Sequence, residues 1–165
     1  LSATDGLTGC YNRRALQDKL PEEIERAQRY HRPLAVVFMD IDHFKQFNDQ
    51  HGHQLDDEVL RSAAKHVAGT LRQGVDWIAR YGGEEFVLVL PETPLEAAIA
   101  IAHRLCDALP EHAVPNPRGG SVYISASFGV TAYRPGEDAL ALLSRADTLV
   151  YQAKSAGRQQ VVAGA

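Results

Sequence analysis

Arg80-Tyr81-Gly82-Gly83-Glu84-Glu85-Phe86 is the stretch on which the reading of this chain turns. Residues 76–81 before it read as a strand, and residues 85–90 after it (Glu-Phe-Val-Leu-Val-Leu) read as another. Two glycines between strand-like runs predict a β-hairpin, because the tight primed turns need positive φ, which glycine adopts without steric cost. Such a turn holds Glu84 and Glu85 at a fixed tip, with Arg80 just behind. Gly-Gly-Glu alone is equally an ordinary hairpin with solvated acids, so its meaning depends on what the rest of the chain brings to it.

Upstream, residues 34–39 (Leu-Ala-Val-Val-Phe-Met) form a continuous apolar run suited to a strand covered on both faces, ending in Asp40-Ile41-Asp42. Before that, Asn12 is placed to cap a helix whose stripe of Leu16, Leu20, Ile24 and Ala27 continues to about Tyr30. Pro21 lacks a donor, which predicts a kink or a restart with Glu22 and Glu23 in the new first turn. Residues 43–50 read as a short helix and turn. Residues 56–73 read as a longer helix with Val59, Leu60, Ala63, Val67 and Leu71 inward.

Downstream of the hairpin, Pro94 opens a helix with Leu95, Ala98, Ile99, Ala102, Leu105, Cys106 and Leu109 inward. Residues 111–120 carry Pro115, Pro117 and Gly119 and read as a loop. Residues 121–133 alternate, with Val122, Ile124, Ala126, Phe128 and Val130 on one face and Ser125, Ser127, Gly129 and Thr131 on the other, which predicts a half-buried strand. Asp138 caps a last helix with Leu143, Ala146, Val150 and Ala153 inward and Gly157 after its end; Val161-Val162 adds a short edge strand. The order predicts an α/β fold with a mixed, mainly antiparallel central sheet flanked by helices.

A chain of 165 residues, 45% of them hydrophobic, is enough for one domain with a real core and has no apolar run long enough to span a bilayer. The net charge of −4 argues against a broad electrostatic grip on nucleic acid. Cys10 and Cys106 make neither a metal-like spacing nor a disulfide framework, so a cytoplasmic setting without direct membrane contact is expected. The sequence begins at Leu1 without an initiator methionine or signal peptide, as expected of a domain excised from a longer protein.

Two acidic tips then need an account: Asp40 and Asp42 at one strand end, Glu84 and Glu85 on the hairpin. If the strands are neighbours, three or four carboxylates converge and raise one another's proton affinity unless a cation joins them. Oxygen-only ligands of this kind suit Mg²⁺ or Mn²⁺ with substrate phosphates completing the shell. The competing reading pairs each acid separately with a surface Arg or Lys. Lys45 follows Asp40 where a loop enters a short helix, and Lys154 and Arg158 end the last helix. These bases fit phosphate, or, individually, a helix C-terminus. His51 and His53 lack a third metal ligand; Asp5 and Arg14 are expected to pair and tie down the N-terminal segment, and Trp77 and Tyr81 to be core.

Five stretches in order carry a resemblance: residues 5–14 (Asp-Gly-Leu-Thr-Gly-Cys-Tyr-Asn-Arg-Arg), residues 40–49 (Asp-Ile-Asp-His-Phe-Lys-Gln-Phe-Asn-Asp), Gly52-His53 through Asp57, residues 80–86, and residues 151–158 (Tyr-Gln-Ala-Lys-Ser-Ala-Gly-Arg). With them the chain resembles the GGDEF domain, the diguanylate cyclase module of bacterial signalling, in its GGEEF variant. The resemblance covers nearly the whole chain and implies a nucleotidyl-cyclase or polymerase-palm-like fold. It further implies condensation of two GTP into cyclic di-GMP with release of pyrophosphate, by two Mg²⁺ or Mn²⁺ ions per site across a homodimer. By similarity Asp40, the Ile41 carbonyl and Glu84 hold metal, and Glu84 or Glu85 helps deprotonate the ribose 3′-hydroxyl. Asn48 and Asp57 read guanine, Phe44, Lys45, Lys154 and Arg158 hold the triphosphate, Arg80 serves the hairpin region, and Gly82 and Gly83 form the signature turn. The domain is then the catalytic, C-terminal part of a protein whose other part controls dimerisation.

The chain departs from the family pattern in places. Asp56 replaces the glycine before the guanine-reading Asp57, where as an N-cap it preserves the helix but adds a carboxylate beside the base pocket. The Arg-x-x-Asp inhibitory site is reduced to Gln73-Gly74-Val75-Asp76, with Arg72 one residue off, so feedback inhibition there is expected to be weak or absent. Gln159 stands for an asparagine and Cys10 for a leucine, both mild changes. Two other classes compete with the active cyclase: a module of the same fold that binds GTP or cyclic di-GMP, or only another protein, with little or no turnover, and another nucleotidyl cyclase or polymerase-palm-like enzyme that has no need of a guanine-reading pair.

Overall fold

A computed structural model describes residues 2–165, with the side chains of residues 48–51 outside the described set. The chain runs α1 (Arg13–Tyr30), β1 (Leu34–Ile41), α2 (Phe44–His51), α3 (His53–Thr70), β2 (Trp77–Arg80), β3 (Glu85–Pro91) and α4 (Leu95–Ala108). A 3-10 turn (Leu109–Glu111) leads to β4 (Val114–Pro115), β5 (Ser121–Val122), β6 (Ala126–Ala132), α5 (Ala139–Ser155) and β7 (Val161–Gly164). Five strands form one sheet in the order β2-β3-β1-β6-β7, antiparallel except for the parallel β6–β7 pair. The expected mixed, mainly antiparallel sheet is therefore present.

Alternation along the strands sorts the core into two layers. Val37, Met39, Phe86, Leu88, Phe128 and Val130 face α3 and α4, packing on Leu55, Val59, Ala98 and Leu105. Val36, Phe38, Val87 and Val89 face α1 and α5, packing on Leu16, Leu20, Ala146 and Val150. Burying each of the large side chains in these layers is worth about 1.5–3 kcal/mol. Asn12 caps α1, accepting from the Ala15 amide at 2.9 Å, and Asp138 caps α5, accepting from the Ala141 amide at 2.8 Å.

Several expectations are corrected. Helix α1 runs through Pro21 without a restart, its apolar stripe held by the sheet across the missing hydrogen bond. Helix α3 starts at His53 with Gly52 as its N-cap, so Asp56 lies in the first turn, buried, and is not a cap. It ends at Thr70, short of residue 73. The 121–133 run splits: β5 pairs with β4 inside the expected loop, and β6 begins at Ala126. Strand β6 is buried on both faces rather than half-buried, because α5 covers the side that carries Ser127, Gly129 and Thr131.

The hairpin differs most instructively. Neither Gly82 nor Gly83 is among the left-handed glycines, so the turn is not a primed one. The Tyr81 and Gly82 amides both donate to the Glu85 carbonyl, at 2.7 and 3.3 Å, closing a wider loop. A Cβ on Gly82 would lie 2.3 Å from Glu85 Oε1, so this glycine gives the Glu85 carboxylate room; around Gly83 there is open space.

Candidate active site

The two acidic tips meet. Asp40 faces Glu85 across the β1–β3 pair and Ser127 across the β1–β6 pair, and the Ile41 amide donates to the Glu84 carbonyl at 3.1 Å. Directly opposed residues in antiparallel strands share a face, so Asp40, Glu85 and Ser127 all emerge toward α5. That helix delivers Lys154, whose Nζ donates to Asp40 Oδ2 at 3.0 Å. Ile41 itself is buried at the end of β1.

The electrostatics follow from this crowding. Burial pushes the Asp40 carboxyl above its ordinary value; Lys154 opposes the shift by hydrogen bond and charge, while Glu84 and Asp42 add to it. Burial likewise raises Glu85, helped by the negative charges of Asp40, Asp147 and Glu84 and opposed by Lys154. Here is a pocket of negative potential that a cation would relieve.

Asp42 lies near enough for its charge to act on Asp40, but its own carboxylate is engaged within the protein. Its oxygens accept from Ser125 Oγ and Ser127 Oγ, each at 2.6 Å, and from the Gln159 amide at 3.1 Å. Arg80 is also engaged within the protein: it donates to the Gly82 and Gly83 carbonyls at 2.9–3.2 Å and to both Asp5 oxygens at 3.2 and 3.3 Å. It braces the turn from behind. Asp5 thus pairs with Arg80, not with Arg14, which donates to the Ser2 carbonyl at 3.1 Å. Asp5 also accepts from Thr8 N and Oγ1; burial works against its ionisation, but these bonds and Arg80 outweigh it and hold its carboxyl below the usual range.

Phe44 is half-buried against the α3/α4 core layer, and Lys45 next to it at the start of α2 is exposed. Asp57 is half-buried on α3, one residue past the buried Asp56, whose side chain comes within 3.9 Å of His53 Nδ1. Asn48 and His51 lie outside the described side chains. Arg158 is exposed, in the left-handed region with φ 67. Trp77 and Tyr81 are half-buried at the margin of the α1/α5 layer, Trp77 donating to Glu23 at 3.0 Å.

Asp76 is closed off by the arginine that sequence spacing sets aside. Arg72 Nε and Nη2 clamp its carboxylate at 3.0 and 2.7 Å, and Nη2 also reaches the Pro91 carbonyl and Thr93 Oγ1. Sequence reasoning also misses Ser125 and Ser127 as partners of Asp42. Their two-residue spacing on one strand face is the only trace of that role in the sequence. Among the described residues no group of three or more His, Cys, Asp or Glu side chains is arranged to hold a metal ion. No helix among them is long and apolar enough to cross a membrane.

A mixed sheet between two helical layers, with carboxylates gathered at the adjoining ends of its central strands, defines a nucleotidyl-cyclase-like domain. The sequence pattern of the diguanylate cyclase GGDEF domain matches residues 2–160, and the chain belongs to that family. It is 43% identical over 161 residues to the diguanylate cyclase DgcP of Pseudomonas aeruginosa, covering 96% of this chain and 23% of DgcP. The GGDEF domain of DgcB from Caulobacter crescentus, solved in complex with c-di-GMP, superposes with a TM-score of 0.92 at 32% identity, covering 98% of this chain and 92% of that one. The diguanylate cyclase SiaD of Pseudomonas aeruginosa, solved in complex with its activator SiaC, gives 0.93 at 39% identity, covering 99% and 62%. The chain spans less than half the length of the curated relatives it matches.

Proposed function

We propose that this domain condenses two GTP molecules into cyclic di-GMP and two pyrophosphates, each of two facing domains holding one GTP. The observation that carries this reading is the meeting of Asp40 with the Glu84–Glu85 tip on adjoining strand ends, with Lys154 bonded to Asp40. The donor set is all oxygen, and the acids lie in a site where burial and mutual repulsion disfavour bare negative charge. Asp40, Glu84 and the Ile41 carbonyl therefore fit Mg²⁺ or Mn²⁺, two per site, with the missing ligands supplied by phosphate and water. When bound, such ions polarise the α-phosphate and lower the proton affinity of the attacking hydroxyl.

The chain's own groups do the rest. Lys45, Lys154 and Arg158, with the backbone at Phe44, hold the triphosphate; Asn48 and Asp57 offer an amide and a carboxylate to the edge of guanine. Glu84 or Glu85 takes the proton of the ribose 3′-hydroxyl as its oxygen bonds to the α-phosphorus of the other GTP and the bond to pyrophosphate breaks. Repeating the step in the opposite sense closes the ring. Arg80 acts by fixing the turn. Gly83 has space and no backbone strain to explain it, which suits close approach of substrate.

The clamp of Arg72 on Asp76 supports a lost inhibitory site. Asp76 is unavailable to product, and Gln73 offers no cation. Product inhibition through this site is expected to be weak or absent, and Asp76→Ala to leave the inhibition constant of cyclic di-GMP unchanged. A strong inhibition that this substitution abolishes would refute the reading. The competing module without turnover is disfavoured by the retention of the full set of Asp40, Lys45, Asn48, Asp57 and the Gly-Gly-Glu-Glu-Phe turn.

The deciding experiment incubates the dimerised domain with GTP or ATP and Mg²⁺ and identifies the product chromatographically. Cyclic di-GMP from GTP alone is expected. Retained binding without product supports the module, and a monocyclic nucleotide supports a different cyclase. Glu84→Ala should lower turnover by at least about 10³-fold with an unchanged circular dichroism spectrum. Wild-type turnover in that variant would remove Glu84 from the site.

A further inference from the structure

The loop from α5 to β7 has an unusual backbone. Gly157 has φ 122, and two residues with side chains follow it in the left-handed region, Arg158 at φ 67 and Gln159 at φ 48. L-residues with a Cβ avoid that region, so consecutive ones persist only where the surroundings hold them. The Arg158 amide donates to the Ala153 carbonyl at 3.0 Å, which closes the end of the helix, and the Gln160 carbonyl accepts from the Phe128 amide at 3.0 Å, which starts β7. Between these anchors, the Gln159 amide donates to Asp42 Oδ2 at 3.1 Å.

Asp42 is 2% exposed, and its carboxylate is ringed by three neutral donors, Ser125 Oγ, Ser127 Oγ and the Gln159 amide. Its own amide donates to the Ser125 carbonyl at 2.9 Å, so the end of β1 is fixed to the start of β6 on both sides of the side chain. A buried carboxyl that accepts three hydrogen bonds fixes the positions of the groups that donate to it. The conformation it determines is that of the turn carrying Arg158, three positions beyond the end of α5 and four beyond Lys154.

We propose that Asp42 is a positioning residue for the nucleotide site: it does not touch substrate, and it holds the Arg158–Gln159 turn so that Arg158 and Lys154 together meet the phosphates. This rests on the reading of Arg158 as a phosphate ligand. Loss of the carboxylate frees the Gln159 amide and lets the turn leave the left-handed region, carrying Arg158 away. Asparagine preserves the hold, since its amide oxygen accepts from Ser125 and Gln159 while its amide nitrogen donates to Ser127 Oγ.

The test measures the dissociation constant of a non-hydrolysable GTP analogue with Mg²⁺, by calorimetry, for wild type, Asp42→Ala, Asp42→Asn, Arg158→Ala and the Asp42→Ala/Arg158→Ala double variant. Asp42→Ala and Arg158→Ala are each expected to weaken binding at least about tenfold, and the double variant no more than either alone. Asp42→Asn stays within about threefold of wild type. In turnover, Asp42→Ala raises KM and leaves kcat within about threefold, because ground state and transition state lose the same contact. Additive losses in the double variant would overturn the proposal. An Arg158→Ala variant that binds like wild type would instead overturn the phosphate reading on which it stands. Should Asp42→Ala fail to fold, amide exchange decides: the Gln159 amide in the wild-type domain is expected to exchange at least about 100-fold more slowly than an open amide, and unprotected exchange would refute the hold.

Discussion

Asp5 shows how a residue far from the acids in sequence reaches the turn. Its carboxylate binds Thr8 twice and Arg80 twice, and Arg80 in turn holds the Gly82 and Gly83 carbonyls. Its folded-state proton affinity is lowered: burial alone would raise it, and the Thr8 bonds and the Arg80 charge overcome that. A depressed carboxyl contributes stability that is present above its unfolded pKa and lost as pH falls through its folded one. Asp5→Asn should therefore cost about 1–2 kcal/mol at pH 7. The gap from wild type should begin to close as pH falls through the ordinary carboxylate range of about 4 and vanish only below the lowered folded value, where both side chains are neutral. Equilibrium urea unfolding across that range checks it, and a gap independent of pH would show that Asp5 is not ionised in the fold. The convergence of Asp40 with the Glu84–Glu85 tip was legible in the sequence because both acidic tips adjoin apolar strand-like runs. Asp42 was not, because its role is set by Ser125, Ser127 and Gln159, and only the completed sheet brings these three to it.

Among the elements, the strands and the helical stripes were readable from periodicity, while the boundaries and turn types were decided by tertiary packing. Pro21 did not interrupt α1 because Leu16, Leu20, Ile24 and Ala27 all bury against the sheet, which outweighs one lost hydrogen bond. The hairpin was right and its turn type wrong, since Gly82 answers to the Glu85 side chain and not to a positive φ. Gly129, read as part of a polar strand face, is where α5 comes closest to the sheet. A Cβ there would lie 2.4 Å from the Ala146 carbonyl oxygen and the Val150 amide nitrogen, both backbone atoms that cannot rotate away. Gly129→Ala should push α5 off β6 at a cost of about 2–4 kcal/mol. Because α5 carries Lys154 and leads into Arg158, GTP affinity should fall along with a melting temperature lower by about 5–15 °C. A melting temperature within about 2 °C of wild type would mean the helix and strand are not packed this closely.

At the scale of the whole molecule, the proposed site, with its acidic pair and the bases Lys45, Lys154 and Arg158, has room in its chemistry for one triphosphate. A cyclic dinucleotide needs two phosphodiester bonds, each made from one nucleotide's 3′-hydroxyl to the other's α-phosphate. On the proposed reading, a second domain turned to face the first would supply the second nucleotide and a second set of acids in the symmetry-related position. The curated relatives extend well beyond the region shared with this chain. For the isolated chain, the active fraction below the dimer dissociation constant is proportional to protein concentration. Turnover per domain should then fall about tenfold for each tenfold dilution, and level off when nearly all chains are paired. Fusing a parallel two-stranded coiled coil ahead of residue 1 replaces a bimolecular encounter with an intramolecular one and should abolish the dilution effect. Mixing wild type with excess Glu84→Ala should lower cyclic di-GMP formation per wild-type chain, since each mixed pair carries only one intact acidic site. If dilution to conditions where sedimentation shows only monomer leaves the rate per chain unchanged, one domain makes both bonds and the paired arrangement is wrong.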